Sequence, residues 1–71
     1  MHGAAVIVYP PDEGGGRRVR AGDAILGRAV GLRDVVEFLR RAGLEGLDES
    51  DVERSELIQW RGGGPHVWGS Q

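Results

Sequence analysis

The sequence contains no cysteine, and it also lacks lysine, asparagine and threonine. Without cysteine, disulfide bridges and thiolate zinc sites are excluded. No stretch approaches the roughly 18 apolar residues of a membrane span, and no basic leader precedes an apolar run. We therefore expect a soluble, cytoplasmic protein. All nine basic residues are arginine, which is typical of GC-rich coding sequences, so the arginine content alone is weak evidence of function.

Charge is unevenly distributed along the 71 residues, whose net charge is −2. Residues 1–44 hold seven arginines against five acids, whereas residues 45–71 hold two arginines against six acids. An acidic total argues against a dedicated duplex-DNA binder, which needs several uncompensated phosphate contacts. The split distribution suits contacts with other proteins better.

One complete amphipathic helix is predicted over Leu32–Ala42. Apolar residues recur at helical spacing on one side, and charged residues occupy the other. The apolar set is Leu32, Val35, Val36 and Leu39, and the charged set is Arg33, Glu37, Arg40 and Arg41. Asp34 suits the positive end of the helix, and Gly43 suits a left-handed C′ position that returns Leu44 to Leu39. This helix needs an apolar sheet to pack against.

The remaining patterns predict strands. A β-branched run at Ala4–Tyr9 indicates a central strand, and alternation over Arg17–Ala21 indicates its hairpin partner. Ala24–Val30 predicts a third short strand with a bulge or close approach at Gly27, and 56–61 predicts the last strand, with Ile58 and Trp60 on one face. Ser50–Glu53 matches a capping box for one helical turn.

The predicted fold is therefore α+β, a small antiparallel sheet of three to four strands with one helix on one face. The order is β, β, a third β, α, β. We assign residues 1–61 to a single domain and residues 62–71 to a Gly/Pro-rich C-terminal tail. In the first strand, apolar side chains point to both faces, yet one helix covers only one of them. The other face must be buried by the tail, by a second copy of the chain or by another protein.

We found no unambiguous catalytic, cofactor or metal site. Gly14–Gly16 before Arg17 and Arg18 could cradle a phosphate, but a hairpin loop explains this segment better because a strand follows. The second glycine run, Gly62–Gly64, is more simply a strand terminator. His2, His66 and the acids between 48 and 53 match no metal-ligand spacing. Ser50, Ser55 and Ser70 stand in no nucleophile motif.

The sequence thus favours a non-catalytic module for protein–protein interaction or regulation, either a homodimer or a subunit of a larger complex. Its candidate partner-binding residues are Tyr9, Arg18, Arg20, Trp60 and Trp68. Trp68 either covers the chain's own sheet or anchors a partner. Two alternatives stay open. One is nucleic-acid binding through Arg17, Arg18, Arg20 and Arg28, and the other is an enzyme or small-ligand carrier with its site at a dimer interface.

Several segments resemble known proteins. On the segments Tyr9–Asp12, Gly31–Asp34, Phe38–Leu44 and Trp60–Pro65, the chain resembles small uncharacterised proteins of GC-rich actinobacteria over nearly its whole length. These proteins carry no assigned activity. The path from Gly27 through Gly31 into the helix resembles the architecture of HicB-like antitoxin domains over about residues 4–61. That resemblance implies a sheet that docks a protein partner. Such antitoxins usually append a DNA-binding segment, and none follows Trp60 here.

Overall fold

The computed structural model describes residues 5–69, which form a four-stranded sheet and two helices. The elements in chain order are β1 Val6–Pro11, β2 Arg17–Ala21, β3 Ala24–Ala29, α1 Leu32–Arg41, α2 Glu49–Arg54 and β4 Ile58–Trp60. The strands lie side by side in the order β3-β2-β1-β4. The α+β class is therefore confirmed, as is the central position of the first strand.

The direction of the last strand differs from the antiparallel arrangement that we predicted. β4 runs parallel to β1, with Val6 opposite Ile58 and Val8 opposite Trp60, and the Val6 amide donates to the Leu57 carbonyl at 3.0 Å. The alternation of side chains identifies a strand but carries no information about its direction. Here α1 and α2 form the crossover that a parallel pair requires, because they return the chain to the end at which β1 begins.

α1 begins and ends as its sequence predicts. Asp34 accepts a hydrogen bond from the Val30 amide at 2.9 Å in the first turn. At the other end, Gly43 has φ +103°, and the Leu44 amide donates to the Leu39 carbonyl at 2.8 Å. Together with the bond from the Gly43 amide to the Arg40 carbonyl, this completes a Schellman motif.

An ion-pair cluster lies on the exposed side of α1. The Glu37 carboxylate accepts from Arg40 at 2.6 Å and lies 3.5 Å from Arg41. The hydrogen bond from Arg40, aided by the charges of both arginines, lowers the pKa of Glu37 from its usual value. Glu37 is thus paired with the residues three and four positions further along the same side of the helix.

The acidic segment after α1 forms a complete short helix, α2, where the sequence indicated a single turn. Its capping box begins two residues earlier than we predicted. The Asp48 side chain accepts from the Asp51 amide at 2.9 Å, and the Asp51 side chain accepts from the Asp48 amide at 3.1 Å. Asp at the N3 position serves here in place of the usual Glu. The cap therefore orients α2 so that Val52 is fully buried.

The hydrophobic core lies between the sheet and the two helices. Its members are Val6, Val8, Val19, Ala29, Val35, Leu39, Val52 and Ile58. At Gly27 the structure confirms both predicted features, because β3 shifts register there and the Phe38 ring packs directly on the glycine. A Cβ atom at position 27 would lie 2.9 Å from the Phe38 ring, so the close approach of α1 to β3 depends on this glycine.

Within residues 5–69, neither helix is long and apolar enough to cross a membrane.

Candidate functional site

The side of the sheet that faces away from the helices, here called the open face, carries four arginines. By strand alternation and register, its residues are Ile7, Tyr9, Arg18, Arg20, Ile25, Arg28 and Gln59, with Arg61 following on from β4. Ile7 is 9% exposed, although no helix covers it. It lies between Arg20 on β2 and Gln59 on β4, whose aliphatic stems can shield an apolar neighbour. The open face is thus a polar surface with a small apolar floor.

Tyr9 is the aromatic centre of the open face. The Arg61 guanidinium lies 5.5 Å from the centroid of its ring, and the Arg20 guanidinium lies 5.9 Å from it. These distances are within the range of cation–π attraction. Arg61 also donates to the Gln59 side chain at 3.2 Å. The ring and the two guanidinium groups therefore form one cluster across β1, β2 and the end of β4.

Most of the positive charge on the open face is not neutralised within the described chain. Arg28 pairs with Asp12 at 2.9 Å, and both side chains are substantially exposed. Among the ion pairs of residues 5–69, none includes Arg18, Arg20 or Arg61. The Nε atom of Arg20 is buried without a hydrogen-bond acceptor in this part of the chain. The exposed guanidinium groups of Arg18 and Arg61 are therefore available to an outside acceptor, whereas the buried Nε of Arg20 is not.

The opposite side of β2 presents an arginine in a contrasting environment. Arg17 is 0% exposed, and all five of its guanidinium N–H groups donate to backbone carbonyls. Nε donates to Tyr9 at 2.8 Å, and the two Nη atoms donate at 2.7 to 2.9 Å to four carbonyls of the C-terminal segment. Those four carbonyls belong to Arg61, Gly63, Gly64 and Val67.

Two tryptophan rings complete the surroundings of Arg17. Its guanidinium carbon lies 5.4 Å from the centroid of Trp60 and 5.4 Å from that of Trp68. The two rings meet edge to face with centroids 6.0 Å apart. Trp68 is fixed by a hydrogen bond from its Nε1 to the Pro65 carbonyl at 2.9 Å. We call the Tyr9 carbonyl together with residues 60–68 the arginine cage.

No carboxylate neutralises Arg17, since none of the ion pairs within residues 5–69 includes it. Burial lowers the pKa of Arg17 from its usual value. Because the ordinary pKa of arginine is so high, the group remains a cation at physiological pH. Its charge is therefore balanced by the dipoles of five carbonyls and by the faces of two indole rings.

Local backbone features position the cage carbonyls. The register between β1 and β2 shifts between Val8 and Pro11, and this bulge leaves the Tyr9 carbonyl available to the Arg17 side chain. Gly62 adopts φ +75°, and a Cβ atom there would lie 2.6 Å from the Pro10 side chain. The second glycine run is therefore more than a strand terminator, because its backbone must turn tightly beside Pro10.

Two further contacts attach the C-terminal segment to the domain. The Gly16 amide donates to the Trp68 carbonyl at 2.9 Å, and His66 lies 2.6 Å from the Glu53 carboxylate on α2. The first glycine run thus forms a hairpin loop whose Gly16 amide already has a backbone partner. His66 likewise contacts a single acid, and no group of three or more candidate metal ligands occurs within residues 5–69. His2 and Ser70 lie outside the described residues.

The structure places the five predicted partner-binding residues on two different surfaces. Tyr9, Arg18 and Arg20 lie together on the open face. Trp60 and Trp68 lie on the helix side, where they pack against the core and Arg17. Residues 62–68 of the tail therefore cover the helix side of the sheet, and no helix or tail segment within residues 5–69 covers the open face.

Sequence reasoning missed the burial of Arg17 and the role of the Gly63 and Gly64 carbonyls as its acceptors. The sequence did contain one indication that Arg17 is buried, because the two-residue alternation of a strand places Arg17 and Val19 on the same face of β2. No signal was present for the carbonyls, because any residue supplies the same backbone acceptor.

Comparison with known proteins gives no match: neither a protein family, nor a curated protein, nor a solved structure is similar to this chain at a significant level.

Proposed function

We propose that this chain is a non-catalytic binding module that uses its open face to dock an acidic surface of a protein partner. The observation that carries the proposal is the cluster around Tyr9. Arg20 and Arg61 lie against this ring, and Arg18 lies on the same face of β2. None of the three arginines makes an ion pair within the described chain. Arginine and tyrosine are among the residue types that contribute most to binding energy at protein interfaces.

Charge segregation supports an acidic partner. The open face carries four arginines, and among the ion pairs of residues 5–69 one of these arginines, Arg28, pairs with an acid, Asp12. The segment around α2 instead carries six acids against one arginine, namely Glu45, Asp48, Glu49, Asp51, Glu53 and Glu56 against Arg54. Complementary charge steers a partner toward one face and away from the other. An acidic protein surface is thus favoured on the open face and repelled by the helix layer.

Nucleic acid fits this face less well. Single-strand binders commonly stack successive bases on several aromatic rings. The open face has a single ring, Tyr9, and two guanidinium groups already lie against it.

An enzymatic role lacks a matching group. General acids in enzymes often have a raised pKa because of burial. The pKa of Glu37 is shifted in the opposite direction, and this side chain lies on the helix surface beside two arginines.

The test uses two matched double variants that change net charge equally. Arg18→Glu with Arg61→Glu alters the open face, and Arg33→Glu with Arg54→Glu alters the helix layer, where both side chains are also exposed. Labelled poly-L-glutamate and a labelled 20-nucleotide oligo-dT are the two probes. Binding is followed by fluorescence anisotropy at low salt and by shifts of backbone amide NMR signals, after circular dichroism confirms that each variant folds.

We expect poly-L-glutamate to bind the natural chain and to shift amide signals of β1, β2 and β3. The open-face variant should lose at least about tenfold in affinity, whereas the helix-layer variant should lose no more than about twofold, because its added negative charge lies away from the binding surface. Tighter binding of oligo-dT than of polyglutamate would replace this proposal with nucleic-acid recognition. Self-association that broadens the open-face signals would replace it with a homodimer. Equal effects of the two double variants would show that binding depends on net charge and not on the open face.

A further inference from the structure

The arginine cage and its occupant come from different parts of the chain. Arg17 extends from β2, while four of the five carbonyls and both indole rings belong to residues 60–68. The remaining carbonyl, that of Tyr9, is on β1. The Arg17 side chain therefore occupies the arginine cage as a ligand occupies a binding site, although both belong to one polypeptide.

Without a bound cation, the conformation of the arginine cage is electrostatically unfavourable. Its four C-terminal carbonyl oxygens converge within 2.9 Å of one guanidinium, so their negative ends face one another. Residues 62–68 belong to no helix or strand, and Gly62 and Gly63 both adopt positive φ. Backbone dipoles that repel one another in a flexible segment need a positive charge to hold them together.

The donor geometry selects guanidinium over other cations. A guanidinium group is planar and has five N–H donors in a fixed fork, and here each donor has a carbonyl at 2.7 to 2.9 Å. An ammonium group has only three donors and no planar face to lay against an indole ring. Water or a neutral amide would satisfy some of the carbonyls but would supply no charge.

We propose that residues 60–68 together with the Tyr9 carbonyl form a guanidinium-binding site, which Arg17 of the same chain occupies as a built-in ligand. This site is distinct from the open face and does not rest on the function proposed for that face. When the Arg17 side chain is truncated, the site accepts a free alkylguanidinium ion.

The test is chemical rescue of the Arg17→Ala variant with n-propylguanidinium at 1–20 mM, a range in which denaturation by guanidinium is weak (roughly molar concentrations are needed). Thermal unfolding and tryptophan emission report on the cage, since Trp60 and Trp68 both line it. Matched ligands are n-propylammonium and sodium chloride at equal ionic strength. The matched variant is Arg18→Ala, whose side chain points to the open face.

We expect n-propylguanidinium to raise the unfolding temperature of Arg17→Ala saturably and to shift its tryptophan emission toward that of the natural chain. The two other salts should do neither, and Arg18→Ala should not respond. A response to n-propylammonium equal to that to n-propylguanidinium would overturn the selectivity. A folded Arg17→Ala variant with unchanged emission and no response would overturn the site itself.

A measurement on the natural chain keeps the proposal testable if Arg17→Ala does not fold. In ¹⁵N NMR spectra, the Arg17 side-chain N–H signals should be individually resolved and should exchange with solvent at least about 100 times more slowly than those of Arg18. Trp68→Ala should accelerate the exchange of Arg17 alone. If Arg17 exchanges as fast as Arg18, the guanidinium is not held and the proposal is wrong.

Discussion

Arg17 and Arg18 are adjacent in the chain, yet the two faces of the sheet give them opposite roles. Arg17 points to the helix side, where it is fully buried and donates to five carbonyls. Arg18 points to the open face, where it is exposed and makes no ion pair within residues 5–69. Alternation along one strand therefore separates an arginine that stabilises the fold from an arginine that is free to bind. The residue type alone does not distinguish these two roles.

The largest expected effect is at Arg17. Arg17→Met keeps a long apolar side chain but removes the donor from five partly buried carbonyls, and each carbonyl that stays unsatisfied and away from water costs about 1–3 kcal/mol. We expect the free energy of unfolding to fall by at least about 3 kcal/mol, since some carbonyls will reach water. Arg18→Met should change it by less than about 0.5 kcal/mol. Urea titration measures both, and similar losses in the two variants would invalidate the comparison.

The next effect concerns apolar side chains on the two faces. Leu39 is 2% exposed in the core, whereas Ile25 on the open face is 57% exposed. Leu39→Ala should lower the free energy of unfolding by about 2–5 kcal/mol, because it removes buried methyl groups and leaves a cavity. Ile25→Ala should cost less than about 1 kcal/mol, because little buried surface is lost. A large loss at Ile25 would mean that something covers the open face in solution.

A smaller effect is expected from the glycines of the two loops that approach the cage. Gly62→Ala places a Cβ atom 2.6 Å from Pro10 in a left-handed conformation, so we expect a loss of about 1–3 kcal/mol. Gly14→Ala is the control, because nothing lies within 4 Å of its added Cβ atom. That change should be neutral or stabilising by up to about 1 kcal/mol. Thermal unfolding of both variants decides the matter, and equal tolerance would show that the turn at Gly62 is not required.

The smallest effect is expected at the exposed ion pair of the open face. Arg28 and Asp12 lie 2.9 Å apart with side chains 55% and 37% exposed. Arg28→Gln should therefore cost no more than about 0.5 kcal/mol at low salt, and the difference should vanish near 1 M salt. Thermal unfolding at two salt concentrations measures it. A loss of stability that persists at high salt would show that Arg28 stabilises the fold, as Arg17 does, and is not a free surface arginine like Arg18.

The sequence predicts most of the fold because its signals are local. The apolar spacing and Gly43 specify α1, the β-branched run specifies β1, and Gly27 marks the close approach of Phe38. The direction of β4 and the position of the tail depend on contacts between residues distant in the chain. Alternation, spacing and capping signals depend on neighbouring residues in the sequence, so they do not predict such contacts.

The candidate site was predictable only in part, for the same reason. Tyr9, Arg18 and Arg20 were identified because alternation along β1 and β2 places them on one face. Arg61 was not, because its position beside Tyr9 depends on the parallel pairing of β4. The separation of Trp60 and Trp68 from that face follows from their packing around Arg17, which is a tertiary contact.

The parallel pairing of the first and last strands has a consequence for assembly. β1 is an interior strand, but one of its two neighbours is the last strand of the described chain. The hairpins of β1, β2 and β3 can close early because their partners are near in sequence, whereas β4 must wait until both helices have been made. Until then, one long edge of β1 remains open to pairing with any extended segment. A chain that stops short of residue 58 should therefore be prone to aggregate rather than form a smaller version of the same domain.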